Sequence, residues 1–263
     1  MRLGSAVVLV TGATGGIGRA LVDAFSAAGA RLVVTGRRGD VLDEVATSCG
    51  GRAVTADLAD PADLDRLCKE AEGADVLVAN AAIPASGRLE GFDPAVLDRC
   101  IDVNLRAPIR LARAAVPAML ARGRGHLVLV SSLAGVAAAP ESSLYAATKF
   151  GLRGFGLALR QDLAGTGVGV SVLLPGFVRD AGMFAESGAT LPAGVGTRSP
   201  QEVAAAAVSA VERDRAEMVV APAPLTAGAY LAGLAPGPAA WVARRLGGDR
   251  VARSITSGQT SRR

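Results

Sequence analysis

The chain is poor in the residues that build many familiar centres. It has one histidine, His126, in 263 residues. That leaves almost no room for a histidine metal cluster or a Ser-His-Asp triad, and His126 reads as a structural residue at a strand start. The three cysteines, Cys49, Cys68 and Cys100, are far apart and form no C-x-x-C pair. Such spacing suits neither zinc nor a disulfide framework, so no metal site is expected. It fits a reducing compartment. Met1 to Ser5 leave no space for a leader before the first apolar run, and a cytoplasmic location is expected. Aromatic residues make up only 3%, with two tyrosines, Tyr145 and Tyr230. Lysine is scarcer than arginine, with only Lys69 and Lys149. Acidic charge is missing from one end. Residues 244–263 hold Arg244, Arg245, Arg250, Arg253, Arg262 and Arg263 against the single acid Asp249. The net charge of +4 is therefore a property of the tail, not of a groove, and nucleic acid is not an expected partner.

What is present is half apolar, largely Ala, Val and Leu, and long enough for one large α/β core. The organising stretch is Val7 to Gly18. Val7 to Val10 is a β-branched and aliphatic run, suited to a strand buried on both faces of a parallel sheet. Thr11 and Gly12 end it, Thr14, Gly15, Gly16 and Gly18 follow, and a helical pattern begins at Ile17. A strand, a glycine-rich turn and a helix N-terminus form an anion site, because the backbone can approach a pyrophosphate closely.

Strand and helix patterns then alternate. Strands are expected at 31–35, 52–56, 75–79, 125–131, 168–174 and 218–220. Helices are expected at 41–48, 61–72, 94–121, 142–163 and 200–213, the long third one bent near Pro108 or Pro117. Repeated β-α units of this kind imply a doubly wound parallel sheet of about seven strands, a Rossmann fold in one domain spanning 1–263. Residues 176–199 read as a substrate loop or lid. Residues 221–263 read as an apolar extension with a basic tail. No charged residue lies between Met218 and Ala243, but four prolines interrupt that span and argue against a membrane helix. Short helices over the substrate site fit better. Trp241, Val242 and Leu246 beside Arg244 and Arg245 are expected to be buried against the domain or a partner subunit, ahead of a lipid surface.

Two local patterns carry chemistry. After the second strand come Gly36, Arg37 and Arg38, where a site for NAD usually places an acid against the ribose 2′-hydroxyl. A guanidinium there suits a 2′-phosphate and favours NADP(H) over NAD, unless it only solvates the next helix. The second pattern is Ser131-Ser132, then Tyr145 and Lys149. On a helix, residues i and i+4 share a face. The ammonium next to the phenol is expected to lower the tyrosine pKa and give a proton donor or acceptor for a carbonyl/alcohol pair.

Together these motifs resemble the short-chain dehydrogenase/reductase family, in its compact single-domain branch, over roughly residues 5–180. Thr11, Gly12, Gly16 and Gly18 match T-G-x-x-x-G-x-G, and Asp57-Leu58 the acid-led pair at the adenine. Asn80 matches N-N-A-G, Asn104 the helix asparagine, Ser132 the serine, and Tyr145 and Lys149 Y-x-x-x-K. Pro175-Gly176, with Val178 beyond, matches the P-G after the sixth strand. The resemblance implies a catalytic set of Asn104, Ser132, Tyr145 and Lys149. Ser132 would bind the substrate oxygen and Tyr145 would transfer the proton. Lys149 would bind the nicotinamide ribose, and Asn104 would hold a water. Thr11, Gly12, Thr14, Gly16, Ile17, Gly18, Arg37, Arg38, Asp57, Leu58, Asn80, Tyr145, Lys149, Pro175, Gly176 and Val178 would contact the cofactor. A homodimer or homotetramer pairing the two long helices is also implied. Ala79 and Ala82 depart from N-N-A-G, and Asp180 stands where a threonine is common. The expected activity is NADP(H)-dependent hydride transfer on an apolar ketone or alcohol. The alternatives are a non-catalytic cofactor-binding sensor or scaffold, and a sugar-nucleotide epimerase or dehydratase of the larger branch.

Overall fold

A computed structural model describes residues 1–191, 195–245 and 248–259 of the chain. Residues 192–194 of the expected loop, and Leu246, Arg262 and Arg263 of the tail, lie outside the described residues. Seven strands form one sheet: β1 (Val7–Thr11), β2 (Arg31–Gly36), β3 (Arg52–Thr55), β4 (Val76–Ala79), β5 (Gly125–Val130), β6 (Val168–Pro175) and β7 (Glu217–Val220). Their order is β3-β2-β1-β4-β5-β6-β7, and every pairing is parallel. The order reverses between β1 and β4, which opens a crevice at the carboxyl ends of those strands.

Side chains alternate across the sheet and feed two cores. Val8 and Val10 point into one, with Leu21, Val22 and Phe25 of α1 (Gly16–Ala27). The same face takes Leu42 and Val45 of α2 (Gly39–Cys49). Leu9 and Leu77 point into the other, with Leu64 and Leu67 of α3 (Pro61–Glu72). Asp60 caps α3, accepting a hydrogen bond from the Asp63 N–H, and Pro61 follows at the first helical position.

The stretch expected as one bent helix is two. α4 (Pro94–Ile101) passes through a π-helical turn at Asp102–Arg106 into α5 (Ala107–Arg122). Pro108 follows the π turn and brings no N–H to the carbonyl four residues before it, that of Asn104, while Pro117 is accommodated inside α5. α6 (Ser143–Asp162) follows β5, and α8 (Pro200–Arg213) opens on a Ser199/Glu202 capping box.

The loop after β6 contains a short helix, α7 (Gly182–Ser187), and a parallel bridge between Val178 and Arg198. Its Gly- and Ser-rich sequence had no periodicity to reveal either. Beyond β7 come α9 (Ala223–Leu234), α10 (Pro236–Arg245) and α11 (Gly248–Gln259). α9 lays Leu225, Ala229 and Tyr230 on Leu133 and Val136, just after β5. Trp241 and Val242, expected to be buried against the domain or a partner subunit, are 52% and 44% exposed in the single chain, so the domain itself does not bury them. Among the described residues α10 packs chiefly against α9 and α11. Among the described residues no helix is long and apolar enough to cross a membrane.

His126 is buried at the start of β5, with Nε2 2.7 Å from Ser171 Oγ. Burial pushes its pKa down to about 4. The native state therefore keeps the imidazole neutral where an unfolded chain, titrating near 6.5, would protonate it. Its contribution to stability is complete above about pH 6.5 and is lost as the pH falls towards 4. Urea unfolding of the parent and of His126→Gln at several pH values should show the parent losing more stability over that window. Parallel pH dependences would contradict this.

Candidate active site

The turn after β1 is shaped by glycine at two points. Gly12 has a φ of +68°, and a Cβ there would lie 2.8 Å from Ala81 Cα. A Cβ on Gly18 would overlap the Gly12 carbonyl oxygen. The N-cap of α1, Gly15, brings no capping side chain, and no acid occupies the first turn. The N–H groups at this end of α1 are thus presented without a side-chain acceptor. This cradle fits an anionic group such as a dinucleotide pyrophosphate. Ala181, in the loop before α7, touches Gly16 so closely that a Cβ on Gly16 would overlap its own. Gly182 lies beside Ile17.

Thr11 ties the turn to the end of β4. Its hydroxyl accepts from the N–H groups of Asn80 and Ala81, both at 3.0 Å. The Asn80 amide in turn donates to the Thr11 carbonyl at 2.9 Å. Three residues on, Ile83 is clasped by Asn104. Asn104 Oδ1 accepts from the Ile83 N–H at 2.8 Å, and Nδ2 donates to the Ile83 carbonyl at 3.0 Å. Asn104 is fully buried within the π turn, and that turn packs against α6. π turns recur at functional sites because one extra residue re-aims the backbone.

At the end of β5, Ser131 and Ser132 point to different tasks. Ser131 is buried and donates to the Lys149 main-chain carbonyl at 2.8 Å. Gly135 lies under the same carbonyl, where a Cβ would be 2.7 Å away. These two residues seat α6 on β5. Sequence reasoning passed over their role, and the Ser-Ser doublet was its only signal. Ser132 is half-buried, accepts from the Ala134 N–H at 3.1 Å, donates to the Pro175 carbonyl at 3.4 Å, and is near enough to the Tyr145 phenol to favour its ionised form. Lys149 is 2% exposed and donates to the Val130 carbonyl at 3.0 Å. Its Nζ lies 5.6 Å from the centre of the Tyr145 ring. The structure thus brings Ser132, Tyr145 and Lys149 together, with Asn104 on the adjoining turn.

The electrostatics correct one expectation. The Tyr145 pKa is raised, not lowered, because burial disfavours the phenolate more than the Ser132 hydroxyl favours it. Burial also lowers the Lys149 pKa to about 8. The ammonium turns to the Val130 carbonyl, and in the protein alone it does not overcome the desolvation of its neighbour.

The remaining positions surround the crevice. Arg37 and Arg38 are exposed after β2, and Arg38 donates to the Thr14 carbonyl at 3.0 Å. The Asp57 carboxylate meets Arg99 at 2.7 Å and the Ala59 N–H at 3.0 Å, which hold it below the usual carboxylate range despite partial burial. Leu58 is buried beside it. Pro175 ends β6, Gly176 bonds back to Val220, and Val178 is buried. Asp180 turns outwards, its side chain 72% exposed and 3.5 Å from Arg179.

The family model for short chain dehydrogenases matches residues 6–192. The chain belongs to the short-chain dehydrogenase/reductase family. Ketoacyl reductase HetN of a Nostoc species is 33% identical over 228 residues, covering 83% of this chain and 79% of that one. Dehydrogenase/reductase SDR family member 7B of Bos taurus is 33% identical over 258 residues, covering 89% and 78%. A short-chain dehydrogenase from Sphingobium yanoikuyae, solved in complex with NADPH, superposes with a TM-score of 0.78 at 27% identity, covering 89% of this chain and 94% of that one. As a member of this family, the chain is an NAD(P)-dependent oxidoreductase.

Removing the Asn104 amide would strip two hydrogen bonds from Ile83. Each lost partner of a sheltered backbone group costs about 1–3 kcal/mol. Asn104→Ala should therefore unfold at lower urea concentration, with a loss of at least about 2 kcal/mol. An unchanged midpoint would contradict the clasp.

Proposed function

We propose that the chain is an NADP(H)-dependent reductase or dehydrogenase acting on a carbonyl/secondary-alcohol pair in an apolar substrate. The observation that carries this reading is the buried Lys149 beside Tyr145 and Ser132, at the carboxyl edge of the sheet next to the glycine cradle. The bound dinucleotide supplies the hydride chemistry. The residues supply position and a path for the proton. Ser132 orients the substrate oxygen, and Tyr145 gives or takes the proton at that oxygen. Lys149 holds the nicotinamide ribose and places positive charge near the phenol. The Asn104 amide spends one acceptor and one donor site on Ile83, which fixes its orientation beside the site.

Preference for NADP(H) is supported by exposed Arg37 and Arg38 and by the lack of an acid at the end of β2. An apolar substrate is supported by the apolar packing beside Ser132, where Leu133 and Val136 meet Leu225 and Ala229 of α9, and by the uncharged sequence of α9. Exposed Leu120 on α5 and Phe150 on α6 support pairing of these helices with a second copy.

Tyr145→Phe keeps the ring and removes the proton. The variant should lose NADPH oxidation with apolar ketones by at least about a hundredfold. It should keep NADPH affinity, and bind NADPH at least about tenfold more tightly than NADH, as the parent does. Retained turnover would overturn the assignment of Tyr145. A parent that binds NADPH but turns over no ketone or alcohol would favour a sensor or scaffold.

A further inference from the structure

The C-terminal arm presents an apolar surface that the described residues of the domain leave exposed. α9, Ala223–Leu234, carries no charge on any face, and none of its residues is buried. Its inner side lies on Leu133 and Val136, yet Leu231 and Leu234 are 66% and 83% exposed. α10 follows after Ala235 alone and adds exposed Trp241 and Val242. A helix apolar all round normally has cover on every side, and among the described residues this one lacks it. Cations border the patch. Arg244 and Arg245 end α10, and Arg245 stacks on Trp241 at 4.4 Å from the ring centre. No acid occurs in the sequence between Glu217 and Asp249. Glu217 itself is neutralised by Arg153 at 2.6 Å and accepts from the Tyr230 hydroxyl at 2.5 Å.

We infer that α9 and α10 form a docking surface for an anionic phospholipid bilayer, with Leu231, Leu234, Trp241 and Val242 entering the interface and Arg244 and Arg245 meeting the headgroups. Charge selects this occupant. An isologous contact with a second copy would set an all-cationic rim against itself. A negatively charged lipid surface supplies the missing counter-charge, and tryptophan favours the boundary between headgroups and acyl chains. The arm needs no turnover to bind, so this inference stands apart from the redox reading.

Trp241 is the only tryptophan in the chain and reports its own surroundings. Vesicles of phosphatidylcholine with phosphatidylglycerol should blue-shift its emission and pellet the full-length protein. Pure phosphatidylcholine vesicles should bind it at least about tenfold more weakly. Arg244→Glu/Arg245→Glu should lose at least about tenfold in affinity for the mixed vesicles, and Leu231→Ser/Leu234→Ser should abolish pelleting. Both double variants should keep parental NADPH affinity, which shows that the domain is intact. Absence of a shift and of pelleting with the parent would overturn the inference, as would binding that neither variant weakens. Equal affinity for the two vesicle types would remove the charge selection and overturn it too. An emission already blue-shifted without vesicles, moving red on dilution, would assign the face to a second copy.

Discussion

Everything at the crevice depends on the burial of one ammonium. An amine taken out of water loses its hydration, and the protein must replace part of it or give up the charge. Here a single main-chain carbonyl, that of Val130, receives Lys149, and the pKa settles at about 8. The compensation is partial, so the group sits close to its titration point. Arginine could not be poised in this way, because its guanidinium stays charged and its planar fork needs more acceptors. In a chain that otherwise prefers arginine, that requirement accounts for a lysine at this position.

The same burial explains why the phenol does not ionise early. Tyr145 and Lys149 share one desolvated space, and each loses the solvation of its charged form. Around them the backbone is fixed from three sides. Ser131 and Gly135 seat α6, Thr11 and Asn80 join β1 to β4, and Asn104 clasps Ile83. This supporting layer holds the reacting side chains in place, as preorganisation of a site requires.

The sheet and the glycine cradle were legible in the sequence, because buried parallel strands are continuous apolar runs and a close backbone approach admits only glycine. Tyr145 and Lys149 were legible from their spacing, since one helical turn fixes their shared face. The raised phenol pKa was not, because spacing gives proximity but not solvation. The π turn was also hidden. Asp102 to Arg106 reads as ordinary helix, and the clasp that this turn carries, from Asn104 to a residue 21 positions away, has no local signal. The exposure of Trp241 in the single chain was hidden for a related reason: an apolar residue is normally buried, and no local pattern reveals which surface covers it.

The central claim is that burial holds the Tyr145 pKa above its ordinary value in the protein alone and that a bound cofactor lowers it. Tyr230→Phe leaves Tyr145 as the only tyrosine. Its phenolate absorbance can then be titrated with and without saturating NADP⁺. The account predicts ionisation above the ordinary value near 10 in the protein alone, and at a lower pH with NADP⁺ bound. Ionisation below that value without cofactor, or no shift on adding it, would contradict the account.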